Sequence, residues 1–217
     1  PYLHEYYQSV EKDTRQKFFH PMPIYRPFLS MEEQNEWMVR SAEEIYKPYI
    51  GRVQLTSFGM DVKDLFGGLL LAKGGYLNTT GYVSAVREFL KERMSLVQEI
   101  FQPEEILFGQ DSVSYKQYHA SAIIWCSGIH KNKFFDWLPV RPLKGETVTI
   151  EASMRNDVVL NRGVYMVPGV TANTWRVGST YYFQDKTECV TDVARKELEE
   201  KIGELINLSF KVIDHQW

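Results

Sequence analysis

The chain has 217 residues and a mass of 25.4 kDa, enough to bury a substantial core as one large domain or two modest ones. With 44% hydrophobic and 24% charged residues it reads as globular rather than disordered. A net charge of -3, a pI near 6.0 and the lack of any Lys/Arg cluster leave nucleic-acid binding without electrostatic support. No apolar run approaches the roughly 20 residues that a membrane helix needs.

In chain order, Tyr2, Leu3, Tyr6, Tyr7 and Val10 recur at helical spacing and predict an amphipathic helix over 2–14. Lys17 to Phe28 carries three prolines among Phe, Ile and Tyr, which suits an edge strand. Ser30-Met31-Glu32-Glu33 reads as a capping box opening a helix that carries Trp37, Met38 and Ile45 and stops before Pro48. Gly51 to Gly75 is β-like, with turns near Gly59 and Gly67-Gly68. Asn78 then caps a helix over Thr79 to Met94, whose Val83, Val86, Phe89 and Leu90 share a face.

Short strands are expected at Leu96–Phe101, Glu105–Phe108 and Val113–Tyr118. They lead into an apolar run, Ala122-Ile123-Ile124-Trp125-Cys126, that predicts a buried strand. It ends at Ser127-Gly128, where small residues let a backbone approach something closely. Leu138-Pro139-Val140-Arg141-Pro142 excludes helix and crosses to an alternating strand, Thr147 to Glu151. Val164–Pro168 and Trp175–Ser179 form a further hairpin pair around a polar turn at Thr171 to Thr174. Val190–Ile206 is the last helix and Phe210–Trp217 the last strand. Both chain ends read as cuts through a longer protein.

Motifs exclude several chemistries. Gly67-Gly68 and Gly74-Gly75 are turn glycines, and no GxGxxG or P-loop is present to cradle phosphate. The five histidines lack metal-ligand spacing, and no serine or cysteine sits in a nucleophile pattern. Two cysteines, Cys126 and Cys189, favour a reducing, cytoplasmic setting. Asn78-Thr79-Thr80 and Asn207-Leu208-Ser209 match the glycosylation sequon, which such a compartment leaves inert.

Five motifs in order resemble the FAD-dependent D-amino-acid oxidase and glycine oxidase family. They are Gly75-Tyr76-Leu77-Asn78, Ala122 to Gly128, Leu138 to Gly145, Tyr165-Met166-Val167-Pro168 and Val177-Gly178-Ser179-Thr180. The similarity covers most of residues 75–217, with 1–74 matching only in layout. The resemblance implies an α+β fold: a mixed, largely antiparallel sheet with flanking helices, as in the substrate domain, plus a strip of the FAD-binding domain. It divides the chain into a first part of the substrate-binding domain (1–74), a helix and strands of the FAD-binding domain (75–137), and the rest of the substrate-binding domain (138–217).

The resemblance also implies roles. Val97 would lie along the adenosine part of FAD, and Cys126, Ser127, Gly128 and Ile129 would approach the cofactor. Tyr165 and Tyr181 would border a small amine or amino-acid substrate, and no acid–base residue is assigned within the chain. The intact enzyme would pass a hydride from the carbon next to the amine to the flavin, giving an imine. The N-terminal pyrophosphate fingerprint and its ribose-binding acid are missing. So is the carboxylate-gripping arginine, which the resemblance places just past Trp217 in a Gly-x-Arg-Pro. The fragment is therefore expected to be inactive and to bind FAD weakly or not at all. The alternative reading is a non-catalytic small-molecule or protein-binding module of the same architecture. A further alternative is a flavoprotein domain acting on a modified RNA base, against which the acidic balance argues.

Overall fold

The computed structural model describes residues 2–129, 133–155 and 157–217. It confirms the α+β expectation: the described residues form four α-helices and a large mixed sheet, on which α4 packs. Among the described residues no helix is long and apolar enough to cross a membrane.

The sheet has eight strands drawn from two separate stretches of chain. The first stretch supplies β2 (Ile24–Pro27), β3 (Ile50–Gln54) and β4 (Gly68–Leu71). The second supplies β9 (Thr147–Glu151), β10 (Val159–Arg162), β11 (Val164–Pro168), β12 (Thr174–Gly178) and β13 (Lys211–Gln216). Their order is β13-β9-β12-β11-β10-β2-β4-β3. Every pair is antiparallel except β10 with β2, where the two stretches are stitched by a bond from Val159 N–H to the Pro23 carbonyl at 2.8 Å.

One face of this sheet builds the core. Alternation sends Val148, Ile150, Met166, Trp175 and Val177 to the same side. There they meet Leu198, Ile202 and Leu205 of helix α4 (Asp192–Leu205), spaced so that one helical stripe is apolar. Thr191 caps this helix, its hydroxyl accepting from Ala194 N–H at 3.2 Å.

Helix α1 (Tyr2–Thr14) packs against helix α3 (Thr79–Glu92), and β1 (Phe19–Pro21) pairs with β5 (Gly75–Leu77). Tyr2, Leu3 and Tyr6 stay exposed. Tyr7 packs on Phe19 and Tyr82, and the buried residue of α1 is Glu11, whose carboxylate accepts from Phe18 and Phe19 N–H at 2.9 Å. Apolar periodicity therefore locates the helix but not its contact face, which a satisfied carboxylate shares.

Several expectations need correction. The proline-rich segment is two strands, and β2 is interior, not an edge. It is flanked by β4 and β10, with Pro27 at its very end, where the missing donor costs least. Helix α2 is Met31–Arg40 and ends before Ile45, which is exposed. Ser30 accepts from Glu33 N–H as expected, but the Glu33 carboxylate reaches Leu29 N–H rather than Ser30. Strand β10 has no counterpart among the strands expected from the sequence.

The largest difference lies between 95 and 143. Here β6 (Ile106–Phe108), β7 (Val113–Tyr115) and β8 (Tyr118–Ala120) make a small separate sheet. Leu96–Phe101, including Val97, and Ala122–Cys126 are not strands, and Ile124 is 86% exposed. A strand exists only where a neighbour supplies a ladder. Among the described residues these two segments have none, so β propensity alone does not hold them.

Candidate functional site

Two features draw together residues singled out in the sequence. The first is the loop after the apolar run. Ser127, Gly128 and Ile129 line a cavity of about 440 Å³ with Ile123, Ile124 and Leu138 among its apolar walls. Gly128 sits at φ +62°, with open space where a Cβ would project. A side chain there would be strained and would stand in the approach. The Trp125 indole N–H donates to Ser127 Oγ at 2.6 Å, which fixes the turn. Cys126 is exposed and does not line the cavity, and neither does Val97, which is 50% exposed. His130, beside this loop, lies outside the described residues.

The second feature is the open face of the large sheet, opposite α4. Cross-strand register places Tyr165 opposite Gly178 and Val167 opposite Arg176, with Thr147 and Thr149 next to them on β9. A Cβ on Gly178 would come within 2.9 Å of the Tyr165 hydroxyl and 2.5 Å of Thr147 Cγ2. The phenol therefore reaches over Gly178, and the glycine of the Val-Gly-Ser-Thr motif makes the space it occupies. Burial raises the Tyr165 phenol above its ordinary pKa, with Arg176 pulling it the other way and Tyr181 adding to the rise. Tyr181 is largely exposed beyond the end of β12. Tyr165 and Arg176 thus share the open face across β11 and β12. Ser127–Ile129 line a separate cavity, whose lining includes neither tyrosine.

Sequence reasoning misses the polar network that holds the motifs together. The Leu138–Gly145 and Val177–Thr180 motifs meet where Lys144 and Tyr182 exchange backbone bonds of 3.1 and 2.9 Å. Thr180 Oγ1 accepts from Glu146 N–H at 3.0 Å. The Glu146 carboxylate is 0% exposed and accepts from Thr191 N–H at 2.8 Å, with Lys144 Nζ at 3.2 Å and His215 Nε2 at 2.9 Å. Lys144 also donates to Asp185 at 2.7 Å, which helps hold that carboxyl at about 2. Burial alone would lower the Lys144 ammonium, but its bonds to Asp185 and Glu146 leave it raised. The signal available in the sequence is the charge pair Lys144 and Glu146 flanking a glycine at a strand entry.

No family model matches the chain. Solved structures do. Glycine oxidase from Geobacillus kaustophilus superposes with a TM-score of 0.72 at 12% identity, over 98% of this chain and 62% of that one. L-proline dehydrogenase from P. horikoshii gives 0.64 at 11% identity, over 97% and 63%. L-alpha-glycerophosphate oxidase from Mycoplasma pneumoniae, solved with FAD bound, gives 0.57 at 16% identity, over 92% and 62%. The fold is that of the D-amino-acid oxidase and glycine oxidase group. The resemblance read from five motifs therefore holds at the level of fold, and the chain spans less than two thirds of the enzymes it matches.

Proposed function

We propose that this chain is the substrate-side portion of an FAD-dependent oxidoreductase acting on a small amine or amino acid. Residues 1–74 and 138–217 then belong to the substrate-binding domain, and 75–137 to the cofactor side. The observation that carries the reading is the apolar cavity opened at Ser127–Ile129, in a chain whose fold matches a glycine oxidase over 98% of its length. A shared fold by itself does not fix a reaction, so the site must carry the argument.

The residues present fit one side of the cofactor. A positive-φ glycine with open space beside it, next to Ser127 and apolar walls, accepts a flat ring system or a ribose at close range. They do not supply a pyrophosphate seat, since the sequence has no glycine-rich cradle. Ser127, Gly128 and Ile129 would hold the cofactor through backbone and apolar contact, with Cys126 and Val97 at the margin. Bound FAD would supply the two-electron acceptor for oxidising a carbon–nitrogen bond. Tyr165, seated over Gly178, would orient the substrate with its hydroxyl, and Tyr181 would wall the pocket.

The test is purification of the full-length gene product without denaturants. A yellow protein whose flavin spectrum bleaches anaerobically on adding small amines or amino acids bears the reading out. A colourless product that acquires no flavin spectrum with added FAD removes it. The 217-residue chain alone is expected to bind FAD weakly or not at all.

A further inference from the structure

Behind the sheet, on the side that α4 covers, the entry of β9 buries a cluster of charges. The Glu146 carboxylate is 0% exposed. One of its oxygens accepts from the Thr191 hydroxyl at 3.0 Å and lies 3.2 Å from Lys144 Nζ. The other accepts from Thr191 N–H at 2.8 Å. Lys144 is shared with Asp185 at 2.7 Å. A further neighbour is His215 of β13, whose Nε2 stands 2.9 Å from Glu146 Oε2. That nitrogen is enclosed, and among the described residues no hydrogen-bond partner lies in line with it. What joins the two groups is charge at short range rather than a directed bond.

Counting charges shows what the cluster lacks. Lys144 brings one positive charge, Glu146 and Asp185 one negative charge each, and their side chains are 5%, 0% and 27% exposed. The N-terminus of α4, presented through Thr191, offers the Glu146 carboxylate only part of a positive charge. A neutral imidazole leaves most of one negative charge out of water, which is costly, whereas an imidazolium closes the balance. The other groups near His215 do not take its place. Asp214, its neighbour on β13, pairs in register with Thr149 and lies 3.7 Å from Arg176 on the open face. On α4, Glu197 is engaged by Lys201 and Tyr182. Cys189, on the loop before α4, is exposed and turns to Thr187 at 3.4 Å. The bond to Lys144 holds Asp185 at about 2, and the bond to Glu197 pushes Tyr182 up to about 12. Neither changes charge between about pH 5 and about pH 9.

β13 is the terminal strand in the sheet order, paired on one side only, with an irregular register between Val212 and Asp214. An edge strand of this kind depends on side-chain anchors to stay closed. We propose that His215 is a proton-dependent latch: as an imidazolium it fastens the end of β13 to Glu146, and loss of the proton lets that end open while the rest of the sheet stays paired. The latch goes beyond the oxidoreductase reading and does not rest on it. A cation beside a buried carboxylate stabilises while the proton is held, and the contribution is lost as pH rises. Asp214 and Gln216 flank His215 and hold Arg176 on the open face, so opening the strand end frees that side chain too.

Amide hydrogen exchange of the purified full-length protein, read by mass spectrometry and corrected for the intrinsic pH dependence of exchange, tests the latch at about pH 5 and about pH 9. Protection over Lys211–Gln216 is expected to fall at least about tenfold at the higher pH, relative to β9 and β12. His215→Gln keeps a polar group without the charge and is expected to show the same β13 protection at both pH values. Protection of β13 that stays level or rises with pH in the unmodified protein overturns the proposal, whether or not the variant folds. A fall of equal size in His215→Gln, or one shared equally by β9 and β12, overturns it as well.

Discussion

The eight-stranded sheet and the excursion over 95–143 spend their apolar residues in opposite ways. In the sheet, Val148, Ile150, Met166, Trp175 and Val177 are sealed in a core that α4 covers, and on β9 and β12 the opposite face carries Thr147, Thr149 and Arg176. In the excursion, the buried core is small: Ile106, Val113 and Tyr115, with Trp125, Phe134 and the ring of Phe101 packed on it. Ile100, Leu107, Phe108, Ile124 and Trp137 are left in the open. The sheet thus carries the larger buried core, and in the proposed enzyme the excursion would complete its burial against the rest of the cofactor domain.

The sharpest way to break that contrast is to cut the sheet's core. Trp175 is 1% exposed, fills the centre of the cluster, and its indole N–H donates to the Ala152 carbonyl at 3.2 Å. Trp175→Ala removes that packing and orphans the carbonyl. It should cost roughly 3–5 kcal/mol, read as a lowered urea midpoint. A loss no larger than that of a surface substitution would mean that the core does not hold the fold.

Much of the sheet is legible in the sequence for the same reason that it is stable. Strands that bury one face write a period of two into the sequence, as Thr147 to Glu151 does. Helices that cover them write an apolar stripe, as Leu198 and Ile202 do. Caps are legible too, since Ser30 and Asn78 act through local bonds. Pairing is not. Nothing in Ala122–Cys126 distinguishes a buried strand from an apolar segment without a ladder, and the parallel stitch of β2 to β10 joins residues as distant in sequence as Ile24 and Val159. Of the candidate site, Ser127–Ile129 and Tyr165 are singled out through motif resemblance. Arg176 and Glu146 are not, because their importance lies in what faces them across the sheet.

A smaller effect probes how the rigid sheet sets the open face. Gly178→Ala puts a methyl where the Tyr165 hydroxyl and Thr147 now sit. Overpacking of this kind costs about 1–3 kcal/mol. The phenol must also move, so its aromatic proton shifts should change more than those of Tyr25, a buried tyrosine remote from Gly178. Unchanged Tyr165 shifts would show that the glycine does not seat the ring.

The seam between the two regions is Lys144, where the chain leaves the excursion and enters β9. Its partner Asp185 has a folded-state pKa of about 2, below the roughly 3.9 of an unfolded aspartate. A depressed carboxylate stabilises above the unfolded value, and that contribution fades as pH falls from about 4 toward 2. Asp185→Asn should therefore flatten this part of the acid limb in melting temperature against pH, while leaving its shape above about pH 5 unchanged. An acid limb identical in the two proteins would detach Asp185 from the seam.

The smallest expected effect is also the most discriminating. Ile124 is apolar, belongs to a run with strong β propensity, and is 86% exposed on the rim of the cavity. If the excursion gains nothing from it in this chain, Ile124→Ser should change unfolding free energy by no more than about 0.5 kcal/mol and should raise solubility. In the full-length protein of the proposed enzyme, the same substitution is expected to weaken cofactor retention, because there the side chain would be covered. Loss of several kcal/mol in the chain by itself would place Ile124 in a buried strand after all and erase the difference between the two regions. Neutrality in both contexts would leave the exposed apolar face without the partner assigned to it. Neutrality in the isolated chain with weakened flavin binding in the full-length protein is the pattern that a half-built cleft requires.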